Sequence, residues 1–301
     1  MKSKNKILVI LGPTASGKTS LAVRLAEKFN GEIVSADSRQ VYRGMDIGTG
    51  KDLSEYSVPY HLIDVVSPKI RFDLAKYQEA AFKAIDGILK RGKLPILAGG
   101  SGLYLQAVID NYRLSDIKSD LVLRKKLDKL NALELFKKLE ELAPKMAAKL
   151  NQSDKNNKRR LIRYLEILGQ DKNFKSRIGK KKYQALLIGV NISREVLQQR
   201  ILKRLIDRLK DQDMVGEIKK LRKGGLSWKK LEEFGLEYRF IALYLQNKLQ
   251  YDEMIEKLNL AIYQFAKRQL TWFKRWEKQG AKINWLKDNK KIEKLVKTFL
   301  K

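Results

Sequence analysis

The sequence contains no cysteine. Disulfides, cysteine-ligated zinc and a thiol nucleophile are thereby excluded, and the composition suits a reducing cytosol. One histidine, His61, is present, too few for a histidine-built metal centre or a serine–histidine triad. No apolar run approaches the length of a membrane span. The basic start, Met1-Lys2-Ser3-Lys4-Asn5-Lys6, is followed by only five apolar residues before Gly12, too few for a signal sequence. A cytoplasmic protein with no membrane attachment, acting as a monomer, is expected. Acidic residues are also scarce: Asp+Glu 34 against Lys+Arg 64 leaves a formal charge of +30 over 301 residues. Charge of that size, spread along the chain and mixed with arginine and aromatic residues, implies a polyanionic partner, with nucleic acid foremost. The plainer account is that many of these lysines are solvated helix faces. There are no internal repeats.

What is present is a complete phosphate loop. Gly12-Pro13-Thr14-Ala15-Ser16-Gly17-Lys18-Thr19 matches G-x-x-x-x-G-K-[ST] at every position. Ile7–Leu11 before it reads as a buried parallel strand, and Thr19–Phe29 after it has helical spacing and stops at Asn30-Gly31. Gly12 and Gly17 let the backbone turn inward so that its N–H groups converge on phosphate oxygens. Lys18 adds a point charge, and the Thr19 hydroxyl is suited to ligate magnesium. The loop implies a di- or triphosphate and leaves open which one.

Glu32–Ala36 reads as a second strand, ending in the polar cluster Asp37-Ser38-Arg39-Gln40 where ligands of open α/β sheets bind. A loop with Gly44, Gly48 and Gly50 follows, then a short strand-like run at Val65-Val66. Phe72–Arg91 is helical with Asp73 as its cap, and Leu94–Ala98 is a strand closing in Gly99-Gly100-Ser101-Gly102, after which a helix begins. Gln184–Val190 returns to the strand pattern, with Ser193 capping the next helix. The fold class expected is α/β, a P-loop-type parallel sheet with flanking helices plus an all-helical insertion. The catalytic core is placed at residues 1–110 and 184–301, and the insertion at 111–183, with 151–158 as a polar loop. In Tyr251–Lys278, Leu258, Ile262, Phe265, Trp272 and Trp276 form one stripe, and Lys267, Thr271, Lys274, Arg275 and Lys278 largely another. The second stripe is either a solvated face or a seat for a phosphate backbone.

Several of these stretches together resemble tRNA dimethylallyltransferase, the bacterial type of the tRNA isopentenyltransferase family. They are the loop 12–19, Asp37-Ser38-Arg39-Gln40-Val41-Tyr42-Arg43-Gly44-Met45-Asp46-Ile47-Gly48-Thr49, Tyr60–Asp64, Gly99–Tyr104 and Phe265–Phe273. They run in order over nearly the whole chain. The resemblance implies transfer of a dimethylallyl group from its diphosphate to N6 of the adenosine just 3′ of a tRNA anticodon. It implies that Gly12, Pro13, Thr14, Ala15, Ser16, Gly17, Lys18 and Thr19 hold dimethylallyl diphosphate with Mg2+. It makes Asp37 the general base, and Ser38, Arg39 and Gln40 contacts to the tRNA anticodon stem-loop. Ser101 stands where the family usually has threonine beside the adenine, and Arg124 aligns with an arginine near diphosphate and tRNA. Arg159, Arg160 and Arg163 correspond to a further tRNA-contacting stretch. Tyr60 replaces a common histidine, and Phe234-Gly235-Leu236-Glu237-Tyr238 matches a glycine–tyrosine motif only loosely.

Read from the residues themselves, Asp37 is open between a proton acceptor and a turn residue. Asp64 is open between a magnesium-shell carboxylate and a turn residue, the turn being favoured. Two further functions use the same features. A small-molecule or nucleoside kinase would place ATP on the loop but leaves the basic charge unexplained. A non-enzymatic RNA-binding protein explains the charge but leaves the loop idle.

Overall fold

The computed structural model describes residues 5–114, 120–170 and 178–301. The first four residues of the basic start and parts of the expected insertion lie outside them. Strand β1 (Lys6–Leu11) is fully buried from Ile7 onward, and an unbroken apolar run suits it because both faces of the sheet are covered. After the loop come α1 (Lys18–Lys28), β2 (Gly31–Ser35), the two-residue β3 (Tyr60–His61), α2 (Leu74–Lys90), β4 (Leu94–Gly99) and α3 (Gly102–Ile109). Asp73 does cap α2, accepting the Lys76 N–H.

A second compact unit spans residues 111–180. It holds α4 (Leu121–Leu127), α5 (Ala132–Leu142), α6 (Pro144–Ala147), α7 (Gln152–Lys155) and α8 (Lys158–Gln170). Its core is Leu127, Leu135, Leu139, Leu161, Ile162 and Leu165. The stretch expected to be a polar loop contains α7, a single turn that forms because the Asn151 side chain accepts the Asp154 N–H and caps it.

The remainder, 181–301, belongs to the first unit. It comprises β5 (Gln184–Val190), α9 (Arg194–Lys210), α10 (Met214–Lys223), α11 (Trp228–Phe234), α12 (Leu236–Leu245), α13 (Tyr251–Lys278), β6 (Ile283–Leu286) and α14 (Asn289–Leu300). The sheet is parallel throughout, in the order β3-β2-β4-β1-β5-β6. No helix among the described residues is long and apolar enough to cross a membrane.

Two strands differ from expectation. Val66 makes one isolated bridge to Tyr42, and the sheet strand is Tyr60–His61 instead. Strand β6 is only four residues long, all half-buried, and it forms because Leu187–Val190 of β5 offers a free edge.

Parallel order brings the C-terminal ends of β1, β2 and β4 to one edge. The crossing there is tight: Ala36 N–H donates to the Ala98 carbonyl (2.7 Å), and Ser101 N–H to the Ala36 carbonyl (3.2 Å). A Cβ on Gly99 would collide with that Ala36 carbonyl. The glycine-bearing loop after β2 is held from the far side. The buried Glu217 carboxylate of α10 accepts the N–H groups of Asp46 (2.7 Å), Ile47 (2.6 Å) and Gly48 (3.1 Å), together with the Tyr238 hydroxyl (2.7 Å).

On β2, Glu32 ties three elements together. Its carboxylate meets Arg91 Nη2 (2.6 Å) after α2, His61 Nε2 (2.7 Å) on β3 and Lys93 Nζ (3.2 Å) before β4. Burial alone would push the carboxyl up, but hydrogen bonds from Arg91, then His61 and Lys93, outweigh it and bring it down to about 2. A carboxyl lowered on folding contributes stability above its unfolded value and loses it as pH falls through the folded value. The melting-temperature deficit of Glu32→Gln should therefore hold near pH 6 and shrink between roughly pH 4.5 and pH 2. A deficit unchanged across that window would show that the pairing is not linked to folding.

Candidate functional site

The phosphate loop adopts the backbone its sequence requires. Ala15 and Gly17 have φ of 60° and 86°, left-handed conformations that turn successive N–H groups inward. The loop is pinned by a residue distant in sequence. Gln269 of α13, buried, accepts the Thr14 N–H through Oε1 (2.8 Å) and donates through Nε2 to the Gly100 carbonyl (2.9 Å). One amide thus ties the end of β1 to the end of β4. Lys18 Nζ lies inside the loop, donating to the Pro13 carbonyl at 3.2 Å. The Ser16 hydroxyl is buried with no hydrogen-bond partner.

This loop forms one wall of a cavity of about 660 Å³. The 37–40 segment after β2 and the 48–52 loop supply other walls, and α9, α12 and α13 close it. Asp37 lines it. Its Oδ1 accepts the Arg39 N–H at 2.8 Å, an Asx turn of the kind the sequence allowed; its other oxygen takes no hydrogen bond from the described residues. Ser38 N–H donates to the Ser101 hydroxyl (3.2 Å), joining the β2 and β4 edges. Arg39 lies over the Phe234 ring at 5.5 Å. The Gln40 amide is used internally, accepting from Ser35 Oγ (2.9 Å) and donating to the Gly50 carbonyl (3.1 Å).

Five arginines absent from the sequence-based set line the same cavity: Arg239, Arg268 and, at i, i+4 and i+8 on α9, Arg200, Arg204 and Arg208. Arg204 donates to the Thr14 hydroxyl in the phosphate loop. Glu237 lines the cavity as well, and burial pushes its carboxyl up, partly opposed by Arg208 and Arg204. The cationic cluster affects its members. Burial first, and then Arg204, lower Lys18 to about 8 against a partial opposing pull from Asp37. Burial and Arg208 likewise lower Arg204 to about 10.

Thr19 lies on the wall, and the Tyr56 phenol, hydrogen-bonded to it, is pushed up to about 12 chiefly by burial. Among the described residues no group of three His, Asp or Glu is arranged to hold a metal unaided. Asp64 is a turn residue: its φ is 56°, and its carboxylate pairs with the buried Lys51 ammonium.

The remaining sequence-derived residues belong to the second unit. Arg124 makes a two-pronged pair with the buried Glu166 carboxylate (2.6 and 2.7 Å), to which Arg163 also donates (3.2 Å). Arg160 pairs with Asp154, and Arg159 is exposed.

The chain was compared with known proteins. Residues 40–276 match the family model described as IPP transferase. A tRNA dimethylallyltransferase of Syntrophus aciditrophicus (strain SB) is 47% identical over 93% of both chains. The chain belongs to the IPP transferase family. Another relative, the tRNA dimethylallyltransferase 1 of Geotalea uraniireducens (strain Rf4), is 45% identical over 93% of this chain and 92% of its own. Among solved structures, the full-length tRNA isopentenylpyrophosphate transferase of Bacillus halodurans superposes with TM-score 0.73 at 36% identity, over 99% of this chain and 97% of that one. A eukaryotic dimethylallyltransferase captured acting on tRNA gives 0.76 at 28% identity, over 89% of this chain and 70% of that one. The α/β fold of this IPP transferase is thus shared with solved members.

With Lys18 near 8, anion affinity should fall as pH rises above about 8, because the ammonium progressively loses its proton. Titration of inorganic diphosphate from pH 7 to 9.5 measures this. Lys18→Arg, which stays charged, should remove the Lys18 part of that decline. Identical pH profiles for both proteins would place the titrating group elsewhere.

Proposed function

We infer that this IPP transferase moves a dimethylallyl group from dimethylallyl diphosphate to N6 of an adenosine beside a tRNA anticodon, releasing diphosphate. The observation that carries the reading is a single cavity joining the phosphate loop to Asp37. The names of the curated relatives support it.

The loop fits the diphosphate. The left-handed residues Ala15 and Gly17 turn its backbone inward, the arrangement in which N–H groups converge on phosphate oxygens. Lys18, Arg200 and Arg204 supply charge at the same wall. Magnesium would be held by the Thr19 hydroxyl and the diphosphate, adding charge to stabilise the leaving group. In the transfer, the allylic C–O bond breaks and its electron pair stays on diphosphate, where these preorganised cations oppose the developing charge. The N6 lone pair forms the new C–N bond, and its proton passes to the Asp37 carboxylate. The Arg39 N–H bond at Oδ1 keeps that carboxylate oriented. Ser101, fixed by the Ser38 N–H, stands beside the incoming adenine, and Ser38 and Arg39 meet the nucleotides around it. The adenine enters by leaving its stack.

For the tRNA we propose two surfaces. One is the second unit with Arg124, Arg159, Arg160 and Arg163. The other is the exposed face of α13 carrying Lys267, Lys274, Arg275 and Lys278.

Asp37→Asn keeps the turn acceptor and removes the base. Single-turnover transfer to an anticodon stem-loop should slow by roughly two to four orders of magnitude, with both substrates bound as before. A loss below about tenfold would assign the proton elsewhere. Steady ATP hydrolysis without prenyl transfer would replace the whole reading with a kinase. Charge reversal at Lys274 and Arg275 should lower the salt-dependence slope of tRNA binding by about one unit per lost phosphate contact, leaving diphosphate affinity intact. Unaltered tRNA binding would return that face to solvent.

A further inference from the structure

The arginines of α9 change environment along the helix. Arg200 is exposed beside Gly17, Arg204 is half-buried against Thr14, and Arg208 is 4% exposed at the inner end of the cavity. Arg208 is the odd member. Its Nη2 is buried and makes no hydrogen bond, and the nearest carboxylate oxygen, on Asp52, is 3.7 Å away, beyond hydrogen-bonding distance. The backbone makes room for it: Gly50 has φ of 67°, and a Cβ there would collide with the guanidinium. A buried guanidinium without a hydrogen-bond acceptor is costly. One that lines a ligand cavity is satisfied when an anion arrives.

Residues four apart on a helix have Cβ atoms about 5–6 Å from one another, which makes Arg204 and Arg208 neighbours along one wall of the cavity. That separation is close to the span of a diphosphate, two phosphoryl groups sharing one oxygen. Arg204 already touches the phosphate loop, so the second phosphoryl group would extend one helical turn onward.

We propose that Arg208 is a diphosphate-binding residue, taking the phosphoryl group that the loop and Arg204 do not hold, while Asp52 and Glu237 keep the guanidinium in place until the anion binds. This rests on the diphosphate reading above. It explains why a glycine stands at position 50 and why a buried guanidinium nitrogen is left without a hydrogen bond. It also makes Arg208 the residue that separates a diphosphate from a monophosphate, since a single phosphoryl group in the loop does not reach it.

The experiment is calorimetric titration of inorganic diphosphate and, separately, inorganic phosphate, each with magnesium, into the full-length protein. Arg208→Met should lose about ten- to a hundredfold in diphosphate affinity, the worth of a charge-assisted hydrogen bond, and leave phosphate affinity unchanged. Lys18→Ala should weaken both ligands. Asp52→Asn frees Arg208 from its stand-in anion and should tighten diphosphate several-fold, more than Asp207→Asn, a cavity carboxylate paired with Lys203. If Arg208→Met lowers the melting temperature but leaves diphosphate affinity intact, the residue merely props the 48–52 loop and the proposal is overturned. Equal tightening by Asp52→Asn and Asp207→Asn would also count against it. Absence of diphosphate binding in the unaltered protein would instead sink the function on which the proposal rests.

Discussion

Mutual repulsion among buried cations is the constraint on which the catalytic unit depends. Lys18, Arg204 and Arg208 share one cavity, and burial first, then the neighbouring arginine, lowers both Lys18 and Arg204. Without an anion this arrangement opposes folding, and with one it becomes a preorganised site. The protein tolerates it through partial compensation. Glu237, Asp52 and Asp37 surround the cluster, and rigid partners hold each cation where it is: the Pro13 carbonyl for Lys18, the Thr14 hydroxyl for Arg204, the hollow at Gly50 for Arg208.

Rigidity of that kind comes from contacts across the sheet edge. The C-terminal ends of β1, β2 and β4 are linked by Gln269 and by the Ser38–Ser101 and Ser101–Ala36 hydrogen bonds. The 46–48 loop is fixed from behind by Glu217. Removing one such group would leave buried N–H donors without acceptors, a cost of about 1–3 kcal/mol each. These bonds fix the phosphate loop, Asp37 and the cations relative to one another, the preorganisation that catalysis by charge stabilisation requires.

The legible parts of this site were those encoded locally. Residues 12–19 carry both geometry and charge within eight consecutive positions, and the flanking strand and helix follow from simple periodicity. Burial on both faces made β1, β2, β4 and β5 readable as apolar runs. Arg204 and Arg208 were hidden because, in a chain with 64 lysines and arginines, a cation every fourth residue looks like a solvated helix face. Only the packing of α9 against the phosphate loop sets them apart. Gln269 and Glu217 were hidden for a related reason: their partners are 255 and about 170 residues away, and a polar residue on an amphipathic helix does not announce which face is buried. β6 was missed because four residues are too few to display a period, and its strand character is induced by the edge of β5.

Asp37 shows why a local structural role and a chemical one need not compete. One oxygen closes an Asx turn on the Arg39 N–H, and taken alone this would class the residue as structural. A general base must also hold its acceptor lone pair at a fixed angle to the amine it deprotonates, and a freely rotating carboxylate at a strand end would not. For the base proposed above, the turn would supply that constraint by engaging one oxygen and leaving the other without a hydrogen bond from the described residues. Asp37 also acts on Lys18, opposing in part the burial and the Arg204 charge that lower that ammonium. The few residues joining the ends of β1, β2 and β4 hold Asp37 and Lys18 on the wall of one cavity, so that a carboxylate and a phosphate loop meet the same ligand.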